Sequence, residues 1–416
     1  MTSRERIQTT LAHREPDRVP IDCGAMRSTG IQAVAYGRLK AHLGISHGHI
    51  RVFDVIQQLA EPEPWYLDRF KIDAINAGRD FPHLDWQPWT LPDGSPCEIP
   101  ASMDFRREGD DWVAYPCHRM GTGQPAELAR MIAGATYFSQ SSFPMAVDNW
   151  EALLPQTADL MGKVCWGALA EPLYDDGLSD ANLERIAQHV ANLRATSSRA
   201  IMIAFGANLF EWASYLRRID NFLMDLAAEP AAAEALLDKL VEAHIANIDR
   251  LIPVLGDNVD LIQLGDDLGT EHGPFFSPKM YRQFFKSRHK AIIDRIKKHN
   301  PNIAIFLHCC GSVYDLLPDL IEAGFEVLNP VQIAARNMEP AKLKKEFGKD
   351  LTFWGGGCDT QAILSRGTPQ EVKDHVRRNI DILAPGGGFV FNQVHNILAE
   401  VPPENVVAMY EAAAGS

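Results

Sequence analysis

Several things are scarce or absent in this chain, and each absence excludes a class of function. No stretch approaches the roughly 20 consecutive apolar residues that a membrane span requires. Basic residues are outnumbered, 40 Lys and Arg against 54 Asp and Glu, for a formal charge of −14. This argues against a nucleic-acid partner, whose affinity rests on basic patches. The seven cysteines (Cys23, Cys97, Cys117, Cys165, Cys309, Cys310, Cys358) are odd in number and scattered, unlike a secreted disulfide framework. The opening MTSRERIQTTLAHREPDRVP is charged and lacks the apolar segment of a signal peptide. A cytoplasmic protein is the expectation. No G-x-G-x-x-G follows an early strand, and neither glycine run (Gly355 to Gly357, Gly386 to Gly388) fits G-x-x-x-x-G-K-[ST], so no dinucleotide or P-loop site is indicated. There is no internal repeat and no long linker.

What is present is a rhythm of buried strands and helices. Apolar runs at 201–206, 261–267, 303–311, 325–332, 351–359 and 388–396 are each followed by helical text. Helix starts are marked by Ser277-Pro278 and Thr368-Pro369, where proline takes the first helical position after a capping hydroxyl. RVPIDCG at 18–24 and IDAINAG at 72–78 add two strands. Eight strands alternating with helices predict an α/β fold, a (β/α)8 TIM-type barrel, over 1–416 as one domain with an N-terminal extension. A doubly wound sheet is the alternative, weakened by the missing glycine fingerprint. Between 79 and 125 the pattern changes to short strand-like runs around Asp93-Gly94 and Gly109-Asp110, which predicts a small β insert.

Chemistry in such a barrel gathers at the C-terminal ends of the strands. There the chain carries His308-Cys309-Cys310 in IAIFLHCCGS and Cys358 in LTFWGGGCDTQ. One imidazole and two thiolates suit zinc, and three protein ligands leave a position open for substrate. His308, Cys310 and Cys358 are the expected metal ligands. Cys309 falls on the opposite strand face and is excluded. Zinc bonds of roughly 2.0–2.3 Å would bring the two sulfurs to about 3.5–4 Å. Around the same opening, Asp266 and His395 are candidate catalytic residues, and Arg27, Gln332 and Asn392 candidate substrate-binding residues. Plainer roles stand beside these: a turn cap for Asp266, loop hydrogen bonds for Asn392 and His395, a surface ion pair for Arg27, and a turn start for Asn329-Pro330.

The blocks RERIQTTLAHREPDRVPID, FLHCCGSVYDLLPDLIEAGFEVLNPVQ, FWGGGCDTQ and APGGGFVFNQVHNILAEVPPENVVAMYEA resemble the uroporphyrinogen decarboxylase superfamily. The resemblance covers most of the chain and is weakest over 79–200. It implies a (β/α)8 barrel and one of two chemistries. Decarboxylases of the superfamily need no metal and hold a tetrapyrrole through arginines in a block like RQAGR. Here that block looks like MRSTG, which keeps Arg27 and loses the second arginine. Other members are zinc methyltransferases that work with corrinoid proteins and carry a His-x-Cys pair with a distant Cys, a mark that His308, Cys310 and Cys358 resemble. The resemblance therefore implies a zinc methyltransferase, of the O-demethylating kind if the donor is a methoxylated aromatic, with cobalamin carried by a partner corrinoid protein. A metal-independent decarboxylase is the second expectation, and a non-catalytic tetrapyrrole- or corrinoid-binding protein the third. The sequence leaves the oligomeric state open, a homodimer being one option.

Overall fold

Strands buried on both faces organise the centre of the molecule. The computed structural model describes residues 1–77, 85–115, 126–169 and 178–415. Seven strands form one curled parallel sheet: β1 (Ala74–Asn76), β2 (Ala200–Gly206), β3 (Leu261–Gly265), β4 (Ala304–His308), β5 (Val327–Asn329), β6 (Thr352–Trp354) and β7 (Phe389–Val390). They lie side by side in chain order from β1 to β7. The segment 18–24 closes the ring. Ile21 bridges in parallel to Ile72 before β1 and to Phe391 after β7. Asp22 N–H donates to Phe391 O (2.9 Å), Phe391 N–H to Pro20 O (2.8 Å) and Asp73 N–H to Ile21 O (2.7 Å). Pro20 has no N–H to give, which limits this eighth position to a bridge. The fold is the expected α/β barrel of TIM type.

Along each strand, alternate residues face the barrel interior. Ala74, Met202, Leu261, Phe306, Val327, Trp354 and Val390 form one inner cluster. Their neighbours Ile75, Ile203, Ile262, Ile305, Leu328 and Phe353 belong to the outer layer between strands and helices. The helix Ser3–Leu11 sends Ile7 into the inner cluster. It opens with a capping box in which Thr2 and Glu5 satisfy each other's backbone N–H. Arg6 from this helix and Arg18 both bind the fully buried Asp73, at 2.7 Å each. Helices do begin at Pro278 and Pro369, capped by Ser277 and Thr368.

In the expected insert region, a hairpin pairs Trp86–Thr90 with Pro96–Pro100, and a four-stranded antiparallel sheet joins Asp104–Glu108, Asp111–Tyr115, Ala129–Met131 and Ser139–Gln140. Gly94 and Gly109 take φ of 85° and 63° at its two turns, a region open chiefly to glycine. Residues 79–84 and 116–125 of the expected insert lie outside the described residues. Among the described residues, no helix is long and apolar enough to cross a membrane.

Candidate active site

The inward alternation that places Phe306 in the barrel core carries His308, two residues on, to the top of the lumen. In the same way Val327 leads to Asn329 and Val390 to Asn392. These three polar side chains are buried. Asn329 Nδ2 donates to the Trp354 carbonyl at 2.7 Å, which turns its Oδ1 toward His308 Nδ1, also 2.7 Å away. An amide oxygen can only accept, so His308 carries its proton on Nδ1 and presents a bare Nε2. Cys310 Sγ lies 3.5 Å from that Nε2.

The third member of the group is His395, in the loop after β7. The donor atoms of His308, Cys310 and His395 lie within 4.8 Å of one another. The two imidazole rings have centroids 5.6 Å apart. Burial, with His308 beside it, pushes His395 down to about 3, so its ring is neutral and has a lone pair to offer. Burial, with the carboxylate of Asp267 next, pushes the Cys310 thiol well above its ordinary range. A thiolate here therefore needs a cation beside it. The 3.5 Å between Cys310 Sγ and His308 Nε2 matches the roughly 3.3–3.8 Å donor–donor edges of a tetrahedral zinc shell, and His395 completes a set of two nitrogens and one sulfur within 4.8 Å.

Asp267, at the end of β3, supports the group. Its Oδ1 accepts from Cys310 N–H (2.7 Å) and stands 3.9 Å from His308 Nε2. Gln332 holds the loop beyond Cys310: its Oε1 accepts from Gly311 N–H (2.7 Å), and its Nε2 donates to Glu271 (2.8 Å).

A cavity of about 910 Å³ adjoins the group, and His395 and Asp267 form part of its wall. Aromatic rings form one part of the rest, among them Phe138, Trp166, Phe210 and Tyr215, and polar side chains such as Gln32, Arg218 and Asp220 form another. Trp166 and Tyr215 stack at 5.6 Å. Ser139 and Gln140 reach the cavity from the antiparallel sheet. Glu211 and Asp220 are further acids in the wall. Burial, then the carboxylates of Asp267 and Asp266, push Glu211 up to about 8.

The family model for uroporphyrinogen decarboxylase (URO-D) matches residues 170–415, more than half of the chain and all of β2 to β7. The chain belongs to this family. Within it, the methylcobamide:CoM methyltransferase MtaA of Methanosarcina barkeri is 27% identical over 204 residues, covering 48% of this chain and 54% of that protein. The uroporphyrinogen decarboxylase of Legionella pneumophila (strain Corby) is 26% identical over 221 residues, covering 51% and 57%. The chain thus spans somewhat over half the length of these curated relatives. A solved methyltransferase from Methanosarcina mazei shares the fold, with a TM-score of 0.59 at 20% identity over 100% of this chain and 99% of that one.

The structure gathers some of the residues expected from the sequence and separates others. His308 and Cys310 stand together. Cys358, expected as the third ligand, is not one of the clustered donors. It is fully buried in the outer apolar layer, its backbone bridged to Gln393 and its sulfur 3.8 Å from Asp359 O. His395, expected as a catalytic residue, takes the third place. Asp266 is fully buried and committed to backbone. It accepts from the N–H groups of Leu209, Phe210 and Glu211 at 3.1, 3.0 and 2.9 Å, and lies 3.2 Å from His289 Nε2. Arg27 lies 3.7 Å from Asp54 Oδ2 and 5.6 Å over the Trp166 ring, behind the cavity wall. Asn392 is buried in the lumen, donating to Asp22 O (3.0 Å) and Gln393 Oε1 (3.1 Å). Cys309 faces the outer layer, as alternation requires.

Three residues were missed. Asn329 was read as a turn start, although period two already placed it on the face of His308. Asp267 stands beside Asp266 at the same strand end, where a turn cap and a functional role are equally open to both. Glu211 follows the polar end of β2 by only a few residues, which was the available signal.

Proposed function

We propose that this chain is a zinc-dependent methyltransferase that moves a methyl group between a small methylated substrate and a corrinoid protein. The observation that carries the reading is the group of His308, Cys310 and His395 at the C-terminal rim of the barrel, opening on an aromatic-walled cavity. The methylcobamide:CoM activity named for the Methanosarcina barkeri relative supports a corrinoid partner. Aromatic walls suit a methoxylated aromatic donor, which makes the reaction an O-demethylation.

His308 Nε2, Cys310 Sγ and His395 hold the metal. When bound, zinc supplies Lewis acidity toward the donor heteroatom. The protein does the rest. Asn329 fixes the His308 tautomer, the kind of support that orients ligands in metal sites. Asp267 anchors the Cys310 backbone. The aromatic walls exclude water around the methyl group, and the cavity mouth admits the partner's corrinoid.

The decarboxylase reading has the Legionella relative and Arg27 in its favour. Of the acids in the wall, Asp267 opposes a carboxylated substrate and Asp220 pairs with Arg218, while Arg27 is already engaged by Asp54. One experiment separates the two. Protein purified under reducing conditions is reconstituted with zinc, assayed for metal, and mixed with methoxyarenes and a reduced corrinoid protein. The expected result is one zinc per chain and methylation of the corrinoid, both lost in Cys310→Ala. Decarboxylase activity untouched by Cys310→Ala would overturn the proposal.

A further inference from the structure

We propose that Arg218 anchors the anionic end of the methyl donor, an aromatic ether that carries a carboxylate away from its methoxy group. This rests on the methyl-transfer reading above and adds a specificity-determining residue and a substrate class to it.

The helix Phe210–Arg217 runs along one wall of the cavity. Phe210, Glu211, Ser214, Tyr215 and Arg218 line that wall at spacings of three and four, which is one face of a helix. The first turn stands at the metal group. Asp267 N–H donates to Glu211 Oε2 at 3.2 Å, and the Asp267 carboxylate accepts from Cys310 N–H at 2.7 Å. Arg218 stands at the other end, and the rise from Glu211 to Arg218 is about 10 Å along the axis. That span suits one benzene ring with its ether oxygen at the metal group and a carboxylate against a guanidinium. A carboxylate so placed is a helix length away from Asp267, whereas the reacting carboxylate of a decarboxylase substrate would stand against it.

Arg218 is the one Arg or Lys among the described residues that line the cavity. Asp220 holds its guanidinium from the side, accepting from Nε at 3.1 Å and from Nη2 at 2.9 Å. Nη1 has no hydrogen-bond partner among the described residues. The edge formed by Nη1 and the second N–H of Nη2 is therefore a free fork, matched to the two oxygens of a carboxylate. Both side chains of the pair are about half exposed, so the pair itself contributes little to stability. The backbone gives a second sign. Arg218 takes φ 70° and ψ 144° at the junction with the helix Ile219–Ala228, a conformation costly for any residue with a Cβ and open to glycine. The turn alone would favour glycine, and what arginine adds there is the guanidinium.

Zinc-loaded wild type, Arg218→Lys and Arg218→Gly are titrated calorimetrically with para-methoxybenzoate, ortho-methoxybenzoate and the uncharged para-methoxybenzamide. Wild type should bind the para acid about 10-fold more tightly than the amide or the ortho acid, whose carboxylate falls short of Arg218. Arg218→Lys keeps the charge and loses the fork, so part of the preference should go. Arg218→Gly should abolish it with zinc content unchanged and an unfolding midpoint no lower than wild type, because the strained φ is relieved. Equal binding of the para acid and the amide by wild type, or a preference that survives in Arg218→Gly, would overturn the anchor. So would a preference lost together with zinc or with a lowered midpoint, which marks a structural role. Methyl transfer to reduced corrinoid protein is measured separately on the same compounds. Transfer from the amide as readily as from the para acid would overturn the anchor and leave methyl transfer standing, and transfer from none of them would overturn both.

Discussion

Replacing Asp266 by alanine tests whether this carboxylate is structural or catalytic. In the structure both oxygens are occupied. Oδ2 accepts from Leu209 and Phe210 N–H, Oδ1 from Glu211 N–H, and His289 Nε2 lies 3.2 Å from Oδ2. These are the free donors at the start of the helix Phe210–Arg217, which no intrahelical carbonyl can satisfy. The residue is fully buried, so water does not replace what alanine removes. Leaving buried N–H groups unpaired costs about 1–3 kcal/mol each, and breaking a buried charged contact about 3–5 kcal/mol. These overlap, and a loss of about 4 kcal/mol is expected. Asp266→Asn keeps one acceptor and turns an NH2 toward a backbone N–H, so it should lose about half as much. Urea denaturation followed by circular dichroism measures both. Activity should fall as well, because Phe210, Glu211 and Tyr215 of this helix form part of the cavity wall. A variant within about 1 kcal/mol of wild type yet inactive would refute the capping argument and make Asp266 catalytic.

Three further outcomes follow from the site. His395→Ala should lose stoichiometric zinc, whereas Cys358→Ala should retain it and cost about 1–3 kcal/mol through a small core cavity; metal analysis showing the reverse would return Cys358 to the ligand set. Asn329→Ala releases the His308 tautomer and should weaken zinc binding about 10–100-fold, read by competition with a chelator. The third concerns pH. Glu211 sits at about 8 in the folded protein against an ordinary 4.5, so the folded chain holds a proton that the unfolded chain gives up. Its contribution to stability is complete below the unfolded value and is lost as pH rises through the folded one. Glu211→Gln removes this dependence. The variant should gain on wild type by up to about 1.4 kcal/mol per pH unit between those values and by no more above them. Urea unfolding across that range would refute this if the two proteins ran parallel.

The strand–helix rhythm, seven of the eight expected strands and the rim position of His308 and Cys310 were legible because each depends on local pattern. Continuous apolar runs make strands, Ser277-Pro278 and Thr368-Pro369 start helices, and alternation sends His308 inward and Cys309 outward. The third member of the metal group was not legible in that way. Cys358 and His395 both stand just past strand ends, and both have ligand chemistry. Which of them meets Cys310 depends on how two loops turn after β6 and β7, and no local preference encodes that. The structure bridges Cys358 to Gln393 in parallel, buries its thiol in the outer layer, and brings His395 over the lumen. Asp266 and Asp267 show the same division. They are neighbours at one strand end and equal in chemistry. Only the packing of the helix Phe210–Arg217 against β3 assigns one to three backbone N–H groups and leaves the other to face Cys310. The sequence by itself determined the barrel and which chemical groups line its rim, because period and strand order are written locally. Which of those groups converge was decided by tertiary structure, because convergence requires loops far apart in the chain to meet.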